Sequence, residues 1–116
     1  MAVVLREARC RFTYCLMLLL KHMFDMGYEV ALDEVTERLT EKDPTSDHMP
    51  QSLHHIGLAA DINLYDRQGR WLKHTEDHRS FGEWWEQLGR DLKLPLAWGG
   101  HFGDGNHYSL SWGGRK

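Results

Sequence analysis

The sequence predicts an α+β fold: one small domain, residues 1–116, with helices packed on an antiparallel sheet. Three observations carry that prediction. Between Leu5 and Met26 the apolar residues recur at three- and four-residue steps, the spacing of a one-sided helix. From Ala59 to Tyr65 the chain alternates, with Ala60, Ile62 and Leu64 on one face and Ala59, Asp61, Asn63 and Tyr65 on the other, as a half-buried strand does. Ser80-Phe81-Gly82-Glu83 is a capping-box sequence and opens a second helix.

In chain order, the first helix carries Phe12, Leu16, Leu19, Leu20, Met23 and Phe24 on its apolar side, with Glu7, Arg11 and Lys21 on the wet side. Gly27 is its stop, because glycine accepts the left-handed cap conformation. Tyr28 to Leu32 reads as a short strand, Asp33 to Leu39 as a helical turn or two. Thr40 to Gln51 holds Pro44, Ser46, Asp47 and Pro50 with almost nothing apolar, and reads as a loop on the rim of a site. Asp66 to Arg70 is a turn after which Trp71-Leu72 resumes a strand. The second helix runs to about Leu92 with Phe81, Trp84, Trp85 and Leu88 on its apolar side, and Pro95 ends it. That aromatic stripe is read as core, not as a sugar-binding platform. Leu96 to Trp98 and Tyr108 to Trp112 read as two strands flanking a glycine-rich loop. No lysine or helix start follows those glycines, so a phosphate cradle is a poor reading of them.

Composition narrows the function classes. A net charge of −3 offers no basic footprint, so neither nucleic acid nor an anionic membrane surface is an expected partner. The apolar run Phe12 to Leu20 is about half the length that spans a bilayer. Lys21, His22 and Asp25 follow it where a signal peptide has small residues, so cytoplasmic synthesis without an export signal and no stable membrane insertion are expected. Cys10 and Cys15, on one helix, would sit roughly 8–9 Å apart. That exceeds disulfide reach, and both are expected as buried or half-buried thiols.

Eight histidines in 116 residues raise the question of a metal. His54 and Asp61 lie seven residues apart, and Asp104-x-x-His107 follows a Trp98-Gly99-Gly100 turn. Two neutral imidazoles and one carboxylate are a usual ligand set for a catalytic zinc, with a fourth position left for water. The remaining carboxylate can then serve as a base. Spacing alone leaves His55 as a rival to His54.

Ser52-x-His54-x-x-Gly57-x-Ala59-x-Asp61 followed by Asp104-x-x-His107 resembles the D-alanyl-D-alanine/L-alanyl-D-glutamate metallopeptidases, and most closely the short phage-type endolysin peptidases. The likeness runs from about Gly27-Tyr28 to Trp112, and departs at His101, where related enzymes often carry another residue. The resemblance implies a Hedgehog/DD-peptidase-like fold, Zn2+ as cofactor, and His54, Asp61 and His107 as its ligands. It implies Asp104 as the catalytic carboxylate and Arg38, Ser52 and His101 as substrate contacts. The expected substrate is the peptidoglycan stem peptide, cut at the L-alanyl-D-glutamate bond, with the D-alanyl-D-alanine bond as alternative. The enzyme would be a monomer acting on the cell wall, in the periplasm, after release from the cytoplasm. Two other classes stand beside it. Asp47-His48-x-Pro50, Asn63 and His74 faintly resemble histidine–asparagine–histidine nucleases, against which the acidic charge argues. A zinc-bearing binding module without catalysis is the third.

Overall fold

Helix α1 (Leu5–Asp25) forms where the apolar periodicity places it in the computed structural model, which describes residues 4–33, 53 and 56–116. Phe12, Cys15, Leu19 and Met23 are its buried line, and Leu16 and Leu20 flank the core half-buried. A fully buried leucine or methionine is worth about 1.5–3 kcal/mol over an exposed one, so this line anchors the helix. Phe24 departs from expectation: it is exposed, because it lies one step round the helix from Met23. Cys10 is also exposed rather than buried, while Cys15 is buried and both thiols are free. The helix ends with the Met26 N–H donating to the His22 carbonyl and the Tyr28 N–H donating to Met23, with Gly27 at φ +94°.

Four strands make one antiparallel sheet: β1 (Glu29–Leu32), β2 (Ala59–Tyr65), β3 (Leu96–Trp98) and β4 (His107–Leu110), in the order β1-β2-β4-β3. Register pairs Ala60 with Tyr108, and Tyr108 in turn with Trp98, so these side chains share a face with Ile62, Leu64, Leu96 and Leu110. All of them are buried in one core with the inner sides of α1 and of α2 (Arg79–Leu92). Trp85 of α2 is fully buried at its centre and donates its indole N–H to the carbonyls of Ala97 and Ser109 at 3.0 and 3.2 Å. Two helices packed against a four-stranded antiparallel sheet are the α+β architecture expected of the sequence.

The boundaries differ in three places. A 3-10 turn, Thr75–His78, precedes α2, and its first turn is tied by the Asp77 carboxylate accepting from the His74 N–H at 3.1 Å. Ser80 therefore lies inside the helix and does not cap it. Trp71-Leu72 makes only one bridge, Trp71 to Tyr65, instead of a strand. Strand β4 starts one residue early and stops at Leu110: the Ser111 N–H still donates in register to the Pro95 carbonyl at 2.8 Å, but proline has no N–H to return the bond. The expected turn at 33–39 and loop at 40–51 lie, from residue 34 onward, outside the described residues. Among the described residues no helix is long and apolar enough to cross a membrane.

Candidate metal centre

Strand alternation sends Asp61 to the sheet face opposite Ala60 and Ile62, away from the helices. The β2–β4 register sets it directly across from His107, where facing side chains start with Cβ atoms about 4.5–5.5 Å apart. The His107 Nδ1 lies 3.4 Å from the Asp61 Oδ1. Two donor atoms bound tetrahedrally to one ion at about 2.1 Å are themselves about 3.4 Å apart. The pair is thus already spaced for a shared cation.

Asp104 is brought in by the turn between β3 and β4. The 3-10 segment Gly99–Phe102 follows Trp98, and the Asp104 N–H then donates back to the Gly99 carbonyl at 2.9 Å. The His107 N–H donates to the Asp104 carbonyl at 3.1 Å, closing the loop. This folding is tight enough that a Cβ on Gly99 would overlap the Asp104 carbonyl oxygen and lie 2.8 Å from the His107 Cβ. The loop is pinned from outside as well: the Trp98 indole N–H donates to the Gly105 carbonyl at 2.6 Å, and the Gly105 N–H to the Thr75 hydroxyl at 3.2 Å. As a result one ligand atom each from Asp61, Asp104 and His107 lies within 4.8 Å of the others. Two carboxylates and an imidazole in that space could hold a metal ion.

No family model matches this chain, and no curated protein matches it closely enough to count as a relative.

The electrostatics suit a cation. Burial works against a proton on His107, yet the hydrogen bond and charge of Asp61, the Lys116 carbonyl and the charge of Asp104 outweigh it, and its pKa is raised. The groups that hold a proton there are those that would hold a metal. The other ring nitrogen, Nε2, is 3.1 Å from the Lys116 carbonyl, which fixes the ring from behind as partners of ligating histidines do. Asp104 is exposed, Asp61 half-buried and His107 buried, so the cluster opens to solvent on the Asp104 side.

The structure brings together Asp61, Asp104 and His107 of the residues singled out in the sequence. His54, its rival His55, Ser52 and Arg38 lie outside the described residues. His101 sits one turn before Asp104 and is held by Glu86 of α2, with Nε2 2.9 and 3.1 Å from the two carboxylate oxygens, and edge-on to Trp98. His22 stacks on Trp84 at 4.3 Å between ring centroids, a packing role.

Two features had no signal in the sequence. The Lys116 carbonyl reaches His107 through a Gly113-Gly114 turn, closed by mutual backbone hydrogen bonds of Trp112 and Arg115 at 3.0 Å. His78 is fully buried with Nδ1 2.8 Å from the Tyr108 hydroxyl. Burial lowers its pKa to about 4, so it is a neutral imidazole at pH 7, and burial likewise raises that of Tyr108.

Proposed function

We propose that this chain is a zinc-dependent peptidoglycan peptidase that hydrolyses the L-alanyl-D-glutamate amide of the stem peptide. The observation that carries the reading is the meeting of Asp61, Asp104 and His107, whose order and spacing are those of the peptidase motif. The donor set fits zinc: an imidazole nitrogen and a carboxylate oxygen at tetrahedral spacing, with His54 as the third ligand the motif supplies. Zinc bound there would lower the pKa of a water towards neutrality and polarise the scissile carbonyl.

The chain's own residues do the rest. Asp104, exposed at the rim and three residues before His107, accepts the proton of the attacking water and passes it to the leaving amine. The Lys116 carbonyl holds the His107 ring so that Nδ1 faces Asp61. Arg38 pairs with the substrate's free carboxylate, for which its forked guanidinium is suited, and Ser52 and His101 are further substrate contacts. The reading places the enzyme at the cell wall as a monomer.

The test is digestion of purified peptidoglycan by the zinc-loaded protein, with the fragments read by mass spectrometry. A new L-alanine carboxyl end is the expected product. Release of single D-alanine would make the enzyme a carboxypeptidase of the same chemistry. No cleavage of any stem peptide would leave a metal-binding module.

A further inference from the structure

We infer that the outer face of the sheet beyond Asp61 binds the muramyl sugar of the glycan strand, stacked on Trp71, so that the enzyme prefers stem peptides still joined to glycan. The inference rests on the peptidase reading above. The site follows from register. The bridge between Tyr65 and Trp71 is flanked by two ladder bonds, from the Asp66 N–H to the Arg70 carbonyl at 3.0 Å and from the Leu72 N–H to the Leu64 carbonyl at 2.8 Å. It is therefore a non-hydrogen-bonded pair, whose side chains stand closest and point to one side of the sheet. Tyr65 shares its side of β2 with Asn63 and Asp61, so Trp71 stands on the metal-centre face, about 13 Å along the strand from Asp61. Strand β1 adds Glu29 opposite Tyr65 and Ala31 opposite Asn63, both exposed.

A cavity beside Asp104 joins the two places. It measures about 130 Å³, and Asp104, Asn63, Lys73, Thr75, Asn106 and Trp71 all line it. A liquid water occupies about 30 Å³, so the space equals about four waters. That holds the lactyl and alanyl units between the scissile amide and the sugar, which reach about 7 Å when extended, but not the sugar ring. The ring lies outside, on the Trp71 side, where the indole is 56% exposed and the Lys73 Nζ stands 5.8 Å from its ring centre. An ammonium there steadies the indole and leaves its other face open. A pyranose presents C–H bonds on its faces, with hydroxyls and an acetamido group round its edge. It suits an indole face bordered by the Asn63 amide and the Tyr65 hydroxyl. Charge decides which half of the substrate lies here. Among the described residues this stretch of the face brings one charge of each sign, Glu29 and Lys73. The muramyl half is uncharged, whereas the amine half carries carboxylates, which the reading above pairs with Arg38.

Two synthetic stem peptides test this, one capped at its amino end by N-acetylmuramic acid through the lactyl group, the other by plain lactate. KM should be roughly tenfold lower for the sugar-bearing peptide, the scale of one aromatic stacking contact. Trp71→Ala should bring the two KM values together, and Trp71→Phe should keep them apart, with zinc content measured on the same samples. Titration with the tetramer of N-acetylglucosamine, which carries no peptide, should shift the resonances of the Trp71 indole N–H and the Asn63 side-chain amide. Equal KM values in the wild type, or a preference that survives in Trp71→Ala, would overturn the inference and leave the peptidase standing. Shifts from the tetramer with no cleavage of any stem peptide would sink the peptidase reading and keep the face as a glycan site. Neither shifts nor cleavage would remove both.

Discussion

Replacing Gly99 by alanine should damage the candidate metal centre without touching any of its proposed ligands. The new Cβ would overlap the Asp104 carbonyl oxygen and stand 2.8 Å from the His107 Cβ and 3.2 Å from the His107 carbonyl oxygen. Carbon atoms rest at 3.5 Å or more, so His107 must retreat by about 0.7 Å and the Asp104 carbonyl by more. The loop has little room to comply. Moving that carbonyl strains its bond to the His107 N–H at 3.1 Å and the bond from the Asp104 N–H to Gly99 at 2.9 Å. Losing both costs about 2 kcal/mol, and strain of this kind costs about 1–3. Zinc binding must draw the displaced ligands back together, so about 2–3 kcal/mol of this opposes binding. At 1.4 kcal/mol per factor of ten, the zinc affinity should fall by about 30- to 100-fold. Gly103→Ala is the control in the same loop: φ is +79° but nothing lies within 4 Å, so it should cost about 1 kcal/mol of stability and leave affinity alone. The assay is zinc affinity by chelator competition, with urea denaturation of the metal-free proteins. Wild-type affinity in Gly99→Ala, or an equal loss in both variants, would refute the argument that this turn sets the spacing of Asp104 and His107.

Three further outcomes follow from the structure. His78 has a pKa of about 4 in the fold and about 6.5 unfolded, so the unfolded chain binds the extra proton between those values. Stability from this group is whole above pH 6.5 and declines as pH falls to 4, by about 3 kcal/mol; His78→Gln should flatten that part of the metal-free denaturation profile, and an unchanged slope would contradict a buried neutral imidazole. Truncation after Trp112 removes the Lys116 carbonyl from His107 and should lower zinc affinity about 10- to 100-fold at nearly constant melting temperature, measured by chelator competition. Elemental analysis of His54→Ala, His55→Ala and His107→Ala should show zinc lost from the first and third only, and stoichiometric zinc in His54→Ala with loss in His55→Ala would reverse the assignment.

The parts legible in the sequence are those whose pattern is local. The three- and four-residue recurrence in α1 and the alternation in β2 each follow from which side of the element meets the core, so Leu19, Met23, Ile62 and Leu64 are buried as expected. The same alternation put Asp61 on the far face, and the short Asp104-x-x-His107 spacing brought that carboxylate beside its histidine. What escaped depends on distant partners. The start of α2 is decided by Asp77 tying back to His74, which competes with an equally plausible serine cap at Ser80. The end of β4 is decided by Pro95 opposite Ser111, which accepts its N–H but has none to give back. The cavity beside Asp104 draws its polar groups from β2, the 73–78 stretch and the 104–106 turn, and no window of sequence contains them together.

The central claim, that Asp104 is the base of a metal-dependent peptidase, is tested most directly by Asp104→Asn. The substitution keeps the side chain's size, and Asp104 is the exposed member of the cluster, so zinc should stay bound and the melting temperature should barely move. An amide accepts no proton from water at neutral pH, and the loss of a general base costs on the order of 10²–10⁴ in rate. The measurement is stem-peptide cleavage by wild type and Asp104→Asn, with zinc content taken on the same samples. A fully metallated variant slowed at least about a hundredfold is the predicted result. Cleavage at the wild-type rate by that variant would contradict it.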